Sequence, residues 1–326
     1  MITTRRERRR QVVFGLGATL ACGATRAQTR SARRHVGIVW AVGSESAIVV
    51  FKKGMRELGW IEGTTIDYSE RLLSTAGPDV EAIVRSLVAA GVEVLYVDDF
   101  AVAAALRATR TIPIVCPDLF DPVAEGFTKS YRPDVNLTGI TWQSLESTGK
   151  RLQLAREVLP ALRRVAILFA ATDAGSRMEA QGFVSVASKM SISTMVIEIK
   201  DGTDLPDAFD HLRKSHVELL VVGASPLTYQ LRAEILRHAT SAKIPVLSEI
   251  PPFAFVGAIL TYGPDVASIG PRGPYLVDRL LKGAKPEELP FEQPRVFELI
   301  VNAKAAKGLN ITIPPQVLQA ATRVIQ

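Results

Sequence analysis

Short apolar runs, rich in β-branched residues and bounded by turn residues, recur along the chain and lack the alternation of a half-exposed strand. Such runs suit strands buried on both faces of a parallel sheet. Between Gly91 and Val123 the pattern predicts a strand over Val92–Val97, a loop at Asp98–Phe100 and a helix over Ala101–Ala108. A second strand over Ile112–Cys116 and a loop at Pro117–Pro122 follow. Two parallel strands joined by a helix form a βαβ unit, whose ligands bind at the carboxyl ends of the strands. That edge would carry Asp98, Asp99, Phe100, Asp118, Asp121 and Pro122.

The pattern repeats later in the chain. Val217–Val222 has the character of Val92–Val97, and Lys243–Leu247 that of Thr111–Val115. Upstream, His35–Trp40 is answered by Arg164–Phe169. The chain therefore reads as two similar α/β halves, each with a parallel sheet and each presenting loops at the same end. Further strands are predicted at Thr65–Ser69, Asn136–Thr141, Thr194–Ile199, Ile259–Tyr262 and Val296–Val301. Helices are predicted at 47–58, 78–90, 145–159, 177–190, 204–214 and 265–282. The last of these should be made irregular by Gly270-Pro271-Arg272-Gly273-Pro274. Pro314 and Pro315 should begin a final turn and helix. Passages between halves are expected at Thr138–Ser144, Tyr262–Asp265 and Leu289–Pro294. Lobe 1 would then be 34–141 plus 263–290, and lobe 2 would be 142–262 plus 291–326, joined by a hinge of three crossovers.

The charge changes this picture at one end only. Residues 1–27 contain Arg5, Arg6, Arg8, Arg9, Arg10 and Arg26 against Glu7. Taking these six arginines and one acid from the 39 basic and 33 acidic residues of the whole chain leaves a net charge of about +1. The basicity belongs to this leader rather than to a nucleic-acid-binding surface. Arg8-Arg9-Arg10, the apolar run from Val12 to Ala24 and the small residues before Gln28 have the order of a bacterial secretory signal. The adjacent arginines point to the twin-arginine route, with cleavage after Ala27 and a periplasmic destination. The imperfect lipobox Thr19-Leu20-Ala21-Cys22 offers a lipid anchor as the alternative. Cys116 is then alone in the mature chain, without an intramolecular disulfide partner.

Catalytic patterns are sparse. Gly15-Leu16-Gly17 falls in the leader, and Gly149-Lys150 lacks a phosphate-cradling loop. His35, His211, His216 and His238 have no metal-ligand spacing, and Ser225 lacks a nucleophile elbow. No enzyme, metal or cofactor is expected. The loops carry binding chemistry instead. Ser44, Glu45, Ser46, Thr172, Asp173, Ser176, Ser225 and Pro226 lie before or at helix starts. There, unpaired amide N–H groups and the helix dipole favour an anion. Trp40, Phe100, Phe120, Trp142, Phe169, Phe253 and Tyr262 lie at strand ends or in the same loops. They are placed to stack on a planar ligand, although Trp40 and Phe169 also suit the end of a core strand. Asp98, Asp99, Asp121 and Glu249 are candidates to meet a ligand ammonium, or to cap helices, and Asp118 is a further ligand-binding candidate at the same edge.

Several stretches carry a family likeness. They include His35–Val39, Gly54–Gly63, Arg107–Val115, Asp121-Pro122-Val123, Asn136–Ile140 and Gly149–Leu154. Tyr262–Asp265, Leu281–Pro286, Phe297–Asn302 and Gly308–Pro314 continue the series. In this order the chain from 35 to 326 resembles the ABC-transporter substrate-binding proteins whose better-known members take tryptophan or tyrosine. The resemblance implies two Rossmann-like lobes of the type I periplasmic-binding-protein kind. It implies a periplasmic, monomeric protein that closes on a small solute, an amino acid or aromatic carboxylate, and delivers it to ABC permease and ATPase subunits. A periplasmic ligand sensor on the same fold is the alternative. Asp98-Asp99-Phe100 departs from the family, which often has a glycine-rich or Thr/Pro-containing loop there, and Ala41–Glu45 is also atypical.

Overall fold

The computed structural model describes residues 33–43, 45–73, 79–142, 144–171 and 174–326. The predicted leader and its Cys22 lie outside these described residues, as do Ser44, Thr172 and Asp173.

The first half runs β1 (Arg34–Ala41), α1 (Glu45–Glu57), β2 (Ile66–Leu73), α2 (Val80–Ala89) and β3 (Val94–Val97). It continues with α3 (Asp99–Ala108), β4 (Ile114–Leu119) and β5 (Leu137–Thr141). The second half runs α4 (Ser144–Val158), β6 (Arg164–Ala170), α5 (Ala174–Lys189), β7 (Ser193–Ile199), α6 (Leu205–Lys214) and β8 (Leu219–Val222). Next come α7 (Pro226–Gln230), α8 (Arg232–Ser241), β9 (Val246–Ser248), α9 (Pro252–Phe255) and β10 (Leu260–Pro264). The remaining elements are α10 (Val266–Ile269), α11 (Arg272–Leu281), β11 (Phe297–Asn302), α12 (Ala303–Gly308), α13 (Pro315–Ala320) and β12 (Arg323–Ile325).

The first sheet has the order β2-β1-β3-β4-β5 and is parallel throughout. The second has the order β12-β11-β10-β9-β8-β6-β7. Its β7-β6-β8-β9-β10 portion is parallel and repeats the order of the first sheet. In each half the order reverses beside the first strand, which opens a crevice at the strands' carboxyl ends. β11 pairs antiparallel to β10, and β12 pairs parallel to β11. Neither makes part of the repeat. The chain crosses between the sheets after β5 and after β10, where α10 and α11 return to the first half. It crosses again before β11.

The apolar runs lack alternation because both sheet faces are covered. Val36, Ile38, Val94 and Tyr96 pack toward α1 and α11, while Val39, Leu95 and Val97 pack toward α2 and α3. In the second sheet Leu219 and Val221 enter one core, and Leu220 and Val222 the other. Each such fully buried side chain stabilises the fold by about 1.5–3 kcal/mol. The fourth and fifth strands of both sheets approach at a glycine. A Cβ on Gly139 would stand 1.8 Å from the Cys116 carbonyl oxygen, and one on Gly263 would stand 2.0 Å from that of Glu249. The same tight approach thus recurs at equivalent places in the two halves.

Three boundaries differ from the sequence pattern in ways that matter below. α3 begins at Asp99, so Asp98 is its N-cap residue rather than a loop residue. β4 continues through Pro117 to Leu119, which puts Asp118 on a strand end. The predicted helix over 265–282 breaks between Ile269 and Arg272 at Gly270-Pro271, where proline has no N–H to continue the ladder.

Candidate ligand-binding cleft

The carboxyl ends of both sheets meet around a partly open cleft of about 360 Å³. A drug-sized pocket begins near 300 Å³, so the space suits a small solute. From the first half it is lined by Trp40 at the end of β1, by Ser46, Ala47, Val50 and Phe51 of α1, and by Tyr96 of β3. Asp98 and Asp99 at the start of α3, Pro117 and Asp118 of β4, Phe120 and Trp142 complete that wall. The second half contributes Gly175 and Ser176 of α5, Ala224, Ser225, Pro226 and Tyr229 around α7, and Glu249, Ile250 and Pro252 after β9. Val266, Ile269 and Gly270 close one side. Among the described residues, the lining contains no lysine, arginine or histidine.

The first wall has an aromatic column. Tyr96 lies between Trp40, at 5.2 Å and 10° between ring planes, and Phe51, at 3.9 Å and 17°. The column is buried: Trp40 is 3% exposed and Tyr96 4%. Burial pushes the Tyr96 phenol well above its ordinary range, helped by the negative charges of Asp118 and Asp98. The indole N–H groups of Trp40 and Trp142 are buried without a hydrogen-bond partner among the described residues. Beside the column, the Asp98 carboxylate accepts the Ala41 N–H at 3.2 Å, which ties the end of β1 to the start of α3. Asp118 accepts the Cys116 thiol at 3.2 Å. Burial raises that thiol, and Asp118 and Asp99 raise it further, so Cys116 is a neutral packing residue.

The second wall is braced from behind. Arg151 of α4 is fully buried and hydrogen-bonds Glu249, Thr148 at 2.8 Å and Glu179 of α5 at 3.1 Å. Burial disfavours the guanidinium charge, but Glu249 and Glu179 more than restore it, so its affinity for the proton ends above the ordinary. Glu179 also accepts the Ala224 N–H at 3.0 Å, and the Ser176 hydroxyl donates to the Ala224 carbonyl at 2.7 Å. Ser225 caps α7 by accepting the Thr228 N–H at 3.0 Å, while the Thr228 hydroxyl donates to Gly223 O at 2.7 Å. One network therefore fixes α4, α5, the turn before α7 and the end of β9.

Of the residues singled out in the sequence, Ser46, Asp98, Asp99, Asp118, Trp142, Ser225, Pro226 and Glu249 reach the space, as do Trp40, Phe120 and Ser176. The others on described residues stand elsewhere. Phe253 is 0% exposed: Pro251-Pro252 starts α9 and turns this ring into the second-half core. Tyr262 stacks on Phe297 at 5.7 Å beside the opposite core. Phe100 packs on the face of the first sheet away from the aromatic column. Asp121 caps its own turn, accepting the Val123 and Ala124 N–H groups and the Tyr131 hydroxyl at 2.9, 3.0 and 2.9 Å. Glu45 accepts the Gly43 N–H at 2.9 Å, which holds its carboxyl below the usual range and closes the turn before α1. Phe169 finishes the core. Glu249 reaches the space, but Arg151 answers its charge. Phe51, Tyr96, Tyr229, Ile250, Val266 and Ile269 also line the space, although sequence reasoning passed over them.

A model of the ABC transporter substrate binding protein family matches residues 39–325 of this chain. A tyrosine-binding protein of Clostridioides difficile (strain R20291) is 22% identical over 263 residues, 80% of this chain and 75% of that protein. Two solved structures frame the geometry at equal identity. An ABC domain from Streptococcus pneumonia in complex with L-Trp is 20% identical over 90% of this chain and 100% of its own, with a TM-score of 0.81. The ligand-free, open structure of a substrate-binding protein with adhesive properties from Clostridium difficile is also 20% identical, over 90% of this chain and 99% of its own, with a TM-score of 0.65.

Proposed function

This chain belongs to the ABC transporter substrate-binding protein family, and from that premise we propose that it is the extracytoplasmic solute-receiving component of an importer. It closes its two halves on a small aromatic solute bearing an ammonium group and presents it to permease and ATPase subunits. The observation that carries this reading is the composition of the cleft. A stacked aromatic column and apolar side chains stand beside the carboxylates of Asp98, Asp99 and Asp118. The first suit a planar ring, and the second suit a cation that has lost its water. Tyrosine and tryptophan, bound by the relatives above, have both features. Export through the leader would supply the location, since no helix among the described residues is long and apolar enough to cross a membrane.

A thermal-shift screen of aromatic amino acids and amines tests the proposal. A true solute at a hundredfold excess over its dissociation constant stabilises the protein by about 2.7 kcal/mol. The radius of gyration in solution scattering should fall on addition. If aromatic solutes leave both the melting temperature and the scattering unchanged, the reading fails.

A further inference from the structure

Resting on the reading that the cleft receives an aromatic solute, we infer that Tyr229, carried by the short helix α7 and held by Arg232, is the specificity-determining ring that covers the solute's own ring from the second half. The rings of the first wall leave that role open. Tyr96 has Trp40 on one side and Phe51 on the other. Trp40, Phe51 and Tyr96 are 3%, 1% and 4% exposed, so the column backs the wall and leaves little ring surface for a solute. Tyr229 is half-buried and lines the cleft. Among the described residues no other ring stacks on it.

The local chain sets this ring in place. Ser225 accepts the Thr228 N–H, the Thr228 hydroxyl donates to the Gly223 carbonyl, and Glu179 accepts the Ala224 N–H, so the start of α7 is tied to the second half. Pro226 and Tyr229 stand three residues apart, on one face of the helix, and both line the cleft. The next residue, Gln230, reaches across to the first half. A Cβ on Gly43 would stand 2.6 Å from the Gln230 Nε2, and the φ of +89° at Gly43 is one that glycine adopts without strain. α7 is therefore a place where the two halves touch, and Tyr229 lines the cleft beside that contact. Arg232 decides what the ring can meet. Its guanidinium carbon lies 4.3 Å from the Tyr229 ring centroid, and its Nη1 donates to the Tyr229 carbonyl at 2.6 Å. A cation over one face leaves the other face for the solute. Because the guanidinium already draws on the ring's electrons, a second cation gains less there than a ring does. Tyr229 thus reads the solute's ring and not its ammonium.

Titration calorimetry on the full chain with L-tryptophan, L-tyrosine and L-leucine tests this, because leucine shares the ammonium and carboxylate but lacks the ring. Tyr229→Leu should lower the ratio of tryptophan to leucine affinity by about two- to tenfold, the scale of one aromatic pair, and Tyr229→Phe should keep it within about twofold. If Tyr229→Leu does not fold, Tyr229→Met gives the same readout. Arg232→Met should lower the same ratio, and should change it no further in a chain that already carries Tyr229→Leu, since Arg232 acts through the ring. An equal effect in that chain overturns the part given to Arg232. Affinities that fall alike for all three probes in Tyr229→Leu, or a ratio that stays as it was, overturn the inference and leave the importer reading intact. Leucine bound by the unaltered protein as tightly as tryptophan and tyrosine, or no binding of any probe, overturns the aromatic reading and this inference with it.

Discussion

The two walls of the cleft occupy equivalent places in two sheets of the same strand order, yet they handle charge in opposite ways. In the second half, the acid that follows the fourth strand, Glu249, is answered from within the protein by Arg151, together with Glu179. In the first half, Asp98 before α3 accepts the Ala41 N–H and Asp118 on the fourth strand accepts the Cys116 thiol. Burying a charge costs free energy unless a partner is at hand. The second wall is thus a finished structural element. In the first, a backbone amide and a thiol hold two of the acids by hydrogen bonds. The comparison teaches that carboxylates at the same sheet edge can be held by a buried ion pair in one lobe and by amide and thiol hydrogen bonds in the other.

Removing the counter-charge should have the largest effect. Arg151→Met leaves Glu179 and Glu249 buried without a cation, and breaking such a pair costs about 3–5 kcal/mol. Urea unfolding should show the midpoint falling accordingly. Adding Glu179→Gln and Glu249→Gln to the same chain should recover most of the loss, because the uncompensated charges are then gone. Equal instability of the single and triple variants would show that Arg151 acts by packing alone, and the contrast between the walls would lose its basis.

Much of this arrangement can be read from the chain. β-branched runs such as Leu219–Val222 mark strands buried on both faces, and the loops after them border the cleft. Asp98, Asp118 and Ser225, which line it, were placed at that edge by the rule alone. What the pattern leaves open is which way a residue faces once its element is placed. Phe51 and Tyr96 repeat with their elements' apolar faces, so they read as plain core, and only the meeting of the two halves makes them a wall of the cleft. Phe253 and Tyr262 show the converse: both sit beside the proper edge, but the short helix α9 carries the Phe253 ring into one core, and Tyr262 on β10 stacks on Phe297 beside the other. Arg151 left a signal that went unused, since it stands in α4 one residue before Leu152 and four before Ala155, on the buried stripe of the helix. An arginine on such a stripe implies a buried acid elsewhere. β12, with three residues and no buried position, is below the length at which periodicity can be read.

The smallest effects separate two aromatic residues that the sequence had placed together. Trp142 lines the cleft, with an indole N–H buried and without a hydrogen-bond partner among the described residues. Trp142→Phe retains a ring but removes the donor, and one neutral hydrogen bond is worth about 0.5–1.5 kcal/mol. Affinity for an aromatic solute that the thermal-shift screen identifies should therefore fall by about two- to tenfold in calorimetry. Tyr262 instead stacks on Phe297 outside the lining, at 18° between ring planes. Tyr262→Phe preserves that stack and takes away only a hydroxyl, so stability should stay within about 0.5 kcal/mol, as for substitutions away from special features. Affinity should not move beyond about twofold, since no ligand contact is lost. A tenfold loss in Tyr262→Phe, with the melting temperature unchanged, would bring β10 into the recognition surface. The second wall would then extend to β10, and the comparison of the two walls would have to be redrawn.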